Sequence, residues 1–120
     1  MASLAGRRVL VVEDETLVAM LVEDTLADAG VIVLGPVATV AESLALLEKE
    51  RPDLAVLDMN LAGETSEPVA EALMRLSVPF VIASGYGAAG LPQMLASVPV
   101  LAKPYAPEDL TAALARLPLA

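Results

Sequence analysis

Five short aliphatic runs recur along the chain, and each is followed by a stretch whose apolar positions keep helical spacing. The first run, Arg8 to Val12, ends abruptly at Glu13-Asp14-Glu15 and reads as a buried strand. A helix is expected from Thr16 to Ala29, closed by Gly30 where helices commonly stop. Val31 to Leu34 reads as a second strand, broken at Gly35-Pro36. Thr39-Val-Ala-Glu42 has the spacing of a capping box, in which hydroxyl and carboxylate satisfy backbone N–H groups reciprocally. It opens a helix to about Glu50, and Arg51-Pro52-Asp53 ends it.

Leu54 to Leu57 forms the third strand and runs straight into Asp58. A polar loop, Asn60 to Ser66, leads to a helix from Glu67 to about Leu76, with Pro68 tolerated in its first turn. Phe80 to Ala83 is the fourth strand, left through Ser84-Gly-Tyr-Gly. A weak helix is expected between Leu91 and Ser97, then a fifth strand from Val98 to Ala102 that Pro99 marks as an edge. Pro107 starts a last helix, with Leu110, Ala113, Leu114 and Leu117 on one stripe. Strand and helix alternate five times, so the fold class is α/β, a parallel sheet with helices on both faces. There is no internal repeat, low-complexity tract or linker, and residues 1–120 are expected to form one domain without an effector domain.

Composition narrows the chemistry. The chain is 57% hydrophobic with only 2% aromatics, so its core is aliphatic. No apolar run reaches the roughly 18 residues of a membrane span, and the basic N-terminus is not followed by a signal-peptide core. A soluble, cytoplasmic protein is expected. A net charge of −9 without a Lys/Arg cluster argues against nucleic-acid binding. Cys and His are both absent, which excludes thiolate chemistry, imidazole general bases and zinc sites of the usual kind. Any phosphoryl group handled here must be brought by another molecule.

The polar residues that remain collect at one place. In open parallel sheets ligands bind beyond the carboxyl ends of the strands. Those ends carry Glu13 and Asp14, then Asp58, Ser84 and Lys103, whereas the strand interiors are almost wholly aliphatic. Clustered carboxylates repel unless a cation joins them, and an all-oxygen donor set suits Mg²⁺. Lys103 supplies a mobile positive charge, Ser84 a hydrogen-bond donor, and Asp58 a nucleophile for covalent phosphoryl transfer. Gly85-Tyr-Gly-Ala-Ala-Gly90 fits a dinucleotide-binding pattern. It follows the fourth strand rather than the first, with no acid ending the next, so it is read as a decoy.

Glu13-Asp14, Val56-Leu57-Asp58-Met59-Asn60, Ser84-Gly85 and Lys103-Pro104 together resemble the receiver domains of two-component response regulators. The resemblance implies a flavodoxin-like, doubly wound five-stranded parallel sheet, order 2-1-3-4-5, with five helices. It implies Asp58 as phosphoacceptor and Mg²⁺ held by Glu13, Asp14, Asp58 and the backbone carbonyl of Asn60. Asp14 would ligate directly, Ser84 and Lys103 would read the phosphoryl group, and Lys103-Pro104 would be a cis peptide. Pro79 to Gly87 is similar to the FATGUY-type receivers of alphaproteobacteria, often single-domain proteins paired with HWE-type or related histidine kinases. Val100 stands where receivers usually carry an aromatic switch residue, and Tyr86 lies two residues after Ser84. Rearrangement of the Ser84 to Gly90 loop is expected in place of aromatic rotation. Tyr86 either shields the phosphoryl group or covers the sheet edge.

The first helix is apolar nearly all round. Val18, Leu21, Val22, Thr25 and Ala29 are assigned to its core stripe, leaving Leu17, Met20 and Leu26 largely outside. Leu17 and Met20 are therefore expected to dock a sensor histidine kinase or histidine phosphotransfer protein. The output is binding of an unknown downstream protein, or draining phosphoryl groups as a sink. A haloacid-dehalogenase-type hydrolase would need an Asp where Asn60 stands, and a pseudo-receiver would have lost its site residues.

Overall fold

Aliphatic runs buried on both sides become the centre of one parallel sheet. The computed structural model describes residues 4–61, 63–85 and 91–118. Along them run β1 (Arg8–Val12), α1 (Thr16–Asp28), β2 (Ile32–Val37), α2 (Val40–Lys49) and β3 (Leu54–Asp58). There follow β4 (Asn60–Leu61), β5 (Glu64–Thr65), α3 (Glu67–Arg75), β6 (Phe80–Ser84), β7 (Val100–Ala102) and α4 (Pro107–Ala115). The main sheet has the order β2-β1-β3-β6-β7, all neighbours parallel. With the two-residue β4–β5 hairpin set aside, this is the expected 2-1-3-4-5 arrangement.

Alternation along β1 and β3 splits the core into two layers. Leu10, Val12, Ala55 and Leu57 face Val69 and Leu73 of α3, while Val9, Val11, Leu54 and Val56 face α1 and α4 through Val22, Leu26, Leu110 and Leu114. Each fully buried Leu contributes about 1.5–3 kcal/mol relative to an exposed one. The central strands are thus held from both faces, which fixes where their carboxyl ends lie.

Three expectations are corrected. The fifth helix is only a 3-10 turn, Gln93–Leu95, leaving four α-helices among the described residues. Pro92 and Pro99 bracket too few residues to offset helix nucleation. The second strand does not stop at Gly35-Pro36 but continues to Val37, with a register shift between Leu10 and Val12 of β1. An edge strand tolerates a proline, and Gly35 takes φ +93°, where an added Cβ would lie 2.8 Å from the Val37 nitrogen. The extension also anchors the chain just past β1, because the Glu13 N–H then donates to the Val37 carbonyl at 2.9 Å.

The core face of α1 is also rotated from expectation. Ala19, Val22 and Leu26 are buried, Leu26 completely, whereas Leu21 is 64% exposed. Val18 and Ala29 pack at the margins of the layer. Leu17 and Met20 are exposed as expected. At α2 the expected box forms in a shifted version: Thr39 Oγ1 accepts the Glu42 N–H, and the Glu42 carboxylate accepts the Ala38 N–H.

Candidate functional site

The sheet register brings four strand ends to one rim. Glu13 and Asp14 follow β1, Asp58 ends β3, Ser84 ends β6, and Lys103 follows β7. The Lys103 N–H donates to the Ser84 carbonyl at 2.9 Å, so the β6–β7 ladder runs up to the residue that bears the ammonium. Lys103-Pro104 is a cis peptide, as expected. Glu13, Asp58 and Ser84 are buried despite lying at the rim, with 5%, 7% and 6% of their surface exposed.

One ammonium serves two carboxylates. Lys103 Nζ donates to Glu13 Oε1 at 2.9 Å and to Asp58 Oδ2 at 3.0 Å. The second oxygen of Asp58, Oδ1, accepts the backbone N–H of Asn60 at 3.2 Å, and Glu13 Oε2 accepts that of Glu15 at 3.3 Å. Glu13, Asp14 and Asp58 each offer a carboxylate oxygen within 4.8 Å of the others.

The two carboxylates that share Lys103 also act on each other. Burial and then the neighbouring Asp58 push the Glu13 carboxyl up to about 7, against the opposing pull of Lys103. Burial works against the charge on Lys103, but Glu13 and Asp58 outweigh it and hold the ammonium above the ordinary lysine range. Tyr105 is raised too, by burial first and then by the charge of Glu13.

The donor set fits a hard divalent cation. All three donors are oxygens, they converge without rearranging the sheet, and the repulsion between neighbouring carboxylates is what such an ion would relieve. Tyr86, together with most of the Ser84 to Gly90 loop, lies outside the described residues. Val100 is half-buried on the edge strand β7.

Beside the rim, a groove of about 410 Å³ separates α1 from the start of α4. Val18, Leu21, Val22, Tyr105 and Leu110 line it, with Lys103 also contributing. Leu17 and Met20 of the same helix are exposed as well. Two contributors went unread in the sequence: the Asn60 amide, which holds Asp58, and Ser66, which is fully buried against Met59. Ser66-Glu67-Pro68 signals a helix start and nothing more.

A doubly wound parallel sheet with acids, a hydroxyl and a lysine at its carboxyl rim defines a receiver-type α/β domain. The family model of the response regulator receiver domain matches residues 9–115, and the chain belongs to that family of two-component signalling proteins. SdrG from Sphingomonas melonis Fr1, solved in solution, is 42% identical at a TM-score of 0.81, over 96% of this chain and 97% of that one. The transcriptional regulatory protein PdtaR of Mycobacterium tuberculosis is 26% identical over 112 residues, 90% of this chain. The chain spans 55% of that relative's length. The receiver domain of sensor histidine kinase PA1611 from Pseudomonas aeruginosa was solved with a magnesium ion coordinated in its active-site cleft. At 24% identity, a TM-score of 0.77 and coverage of 93% and 97%, that likeness speaks for the shared fold. Among the described residues no helix is long and apolar enough to cross a membrane.

Proposed function

We propose that this chain is a receiver that accepts a phosphoryl group from a histidine kinase or phosphotransfer protein on Asp58. The observation that carries this reading is the pairing of Asp58 with Lys103 beside the two acids that follow β1. Glu13, Asp14, Asp58 and the Asn60 carbonyl would hold Mg²⁺, which when bound supplies positive charge for the phosphoryl oxygens. An Asp58 carboxylate oxygen attacks phosphorus, the P–N bond to the donor imidazole breaks, and the imidazole leaves with the bonding electron pair. Lys103 then gives its charge to a phosphoryl oxygen, and the Ser84 hydroxyl donates to another. Because Val100 cannot act as an aromatic switch, the loop after Ser84 carries the signal.

The donor docks on the apolar face of α1 at Leu17 and Met20, beside the groove that leads to Lys103. The protein works in the cytoplasm, by binding a downstream protein or by draining its kinase. It is a switch rather than a turnover enzyme, catalysing only its own phosphorylation and dephosphorylation. Where a dehalogenase-type hydrolase needs an acid, Asn60 offers none.

Intact mass after incubation with Mg²⁺ and acetyl phosphate tests the reading. One phosphoryl adduct is expected in the wild type, absent in Asp58→Asn and prevented by EDTA. Absence of the adduct, together with no beryllofluoride or Mg²⁺ binding, would remove Asp58 from this role.

A further inference from the structure

We propose that Ser66 is a positioning residue for Asp58, acting through the single peptide unit that joins Met59 to Asn60. This inference rests on the reading of Asp58 as phosphoacceptor. The two ends of that peptide unit are held separately. Its carbonyl, on Met59, accepts the Ser66 N–H at 3.0 Å. Its N–H, on Asn60, donates to Asp58 Oδ1 at 3.2 Å. A peptide is planar, so the Ser66 grip on the carbonyl sets the direction in which the Asn60 N–H points. That N–H, with Lys103 on the other oxygen, fixes the rotation of the Asp58 carboxylate.

The Ser66 side chain reinforces the grip in an uncommon way. Ser66 is the N-cap of α3, where a serine hydroxyl ordinarily accepts an N–H of the first helical turn. Here it makes no such cap bond and instead donates to Met59 Sδ at 3.7 Å. A thioether is a weak acceptor, so this hydroxyl makes a weaker bond than a cap would offer, and makes it to the residue that follows Asp58. Ser66 has no exposed surface, and its carbonyl accepts the N–H groups of Val69 and Ala70 at 2.9 and 3.0 Å. Met59 is held from the sheet side as well, its N–H donating to the Ala83 carbonyl at 3.2 Å. Helix α3, the loop and the end of β3 are thereby tied to the carboxylate through one residue.

Two variants of different kind test this. Ser66→Ala removes the donor, and Met59→Leu removes the acceptor at similar volume. Each is expected to slow adduct formation with acetyl phosphate about two- to threefold, the low end of a hydrogen bond's worth, since the Ser66 N–H keeps its hold on the Met59 carbonyl. The double variant should be no slower than the slower single one, because both changes delete the same contact. In the unphosphorylated protein, the Asn60 amide proton should move upfield and lose exchange protection in both singles, and Ser66→Cys should partly restore both. A merely structural Ser66 would lower the melting temperature and leave the Asn60 amide where it is. That result, or losses that multiply in the double variant, overturns the proposal. A wild type that forms no adduct and binds neither beryllofluoride nor Mg²⁺ would instead sink the phosphoacceptor reading, and the amide measurement would still decide the clamp.

Discussion

Glu13 carries an electrostatic strain that, with no cation bound, is measurable as a pH dependence of folding. Its carboxyl sits at about 7 in the folded protein against an ordinary value of 4.5. The folded state therefore binds the proton more tightly than the unfolded state, and ionising Glu13 costs stability. This contribution is at its most favourable below the unfolded value, declines as pH rises from 4.5 towards about 7, and is level above that. A shift of this size corresponds to about 2–3 kcal/mol, taking about 1.4 kcal/mol per pH unit and allowing for sharing with Asp58. Lys103, raised above its usual value of 10.5, contributes stability that is fully present below that value and constant across this window. Urea unfolding in EDTA at about pH 5 and about pH 7.5, wild type beside Glu13→Gln, isolates the effect. The wild type should lose about 2–3 kcal/mol more than the variant between the two conditions. Added Mg²⁺ should recover much of the loss at the higher pH, and its binding near pH 6 should release protons, read by calorimetry in buffers of different ionisation enthalpy. Equal pH dependence in wild type and Glu13→Gln would refute the reasoning.

Other outcomes follow from the same geometry. Lys103→Met should lower metal-free stability by about 2 kcal/mol near neutral pH, less near pH 5, because it leaves two buried carboxylates unpaired while the lysine itself is partly solvated. Urea unfolding reads this, and an unchanged midpoint would show the ion pairs to be worth little. Leu17→Glu should slow transfer from the cognate kinase at least about tenfold, with acetyl phosphate reactivity retained, since the change lies on an exposed helix face. Equal kinase transfer would move the docking surface elsewhere. Leu26→Ala should cost about 3 kcal/mol and Leu21→Ala under about 0.5 kcal/mol, a contrast that thermal melts would show and that a stripe centred on Leu21 would reverse.

The three central strands, β1, β3 and β6, were legible because both their faces are covered, which leaves the aliphatic runs uninterrupted and their ends sharp. Errors arose where local rules meet tertiary freedom. Gly35-Pro36 breaks a central strand but not an edge one, and the edge position of β2 is a property of the whole sheet. The phase of α1 was unreadable for a different reason. Leu17 to Val22 are six consecutive apolar residues, so the sequence carries a helix but no preferred face. Packing against β1 and α4 selects Ala19, Val22 and Leu26, and turns Leu21 towards the groove. The β4–β5 hairpin is too short to impose any alternation on its sequence.

The candidate site was legible by contrast of residue type: charged or hydroxylic side chains at strand ends, among almost wholly aliphatic strands. Its wiring was not. Nothing in the sequence says that Lys103 divides itself between Glu13 and Asp58, or that a backbone amide takes the remaining Asp58 oxygen. Backbone groups occur at every residue, so only the path of the chain decides which of them point at the rim. Charge, unlike wiring, can be counted from sequence, and it explains why the rim suits its proposed task. With both of its partners ionised, Lys103 leaves one negative charge on the Glu13–Asp58 pair, which a cation would offset. Converting Asp58 to an acyl phosphate restores negative charge beside Lys103. On the proposed reading, the phosphorylated form would thus be held by that lysine against residual repulsion, as a reversible switch requires.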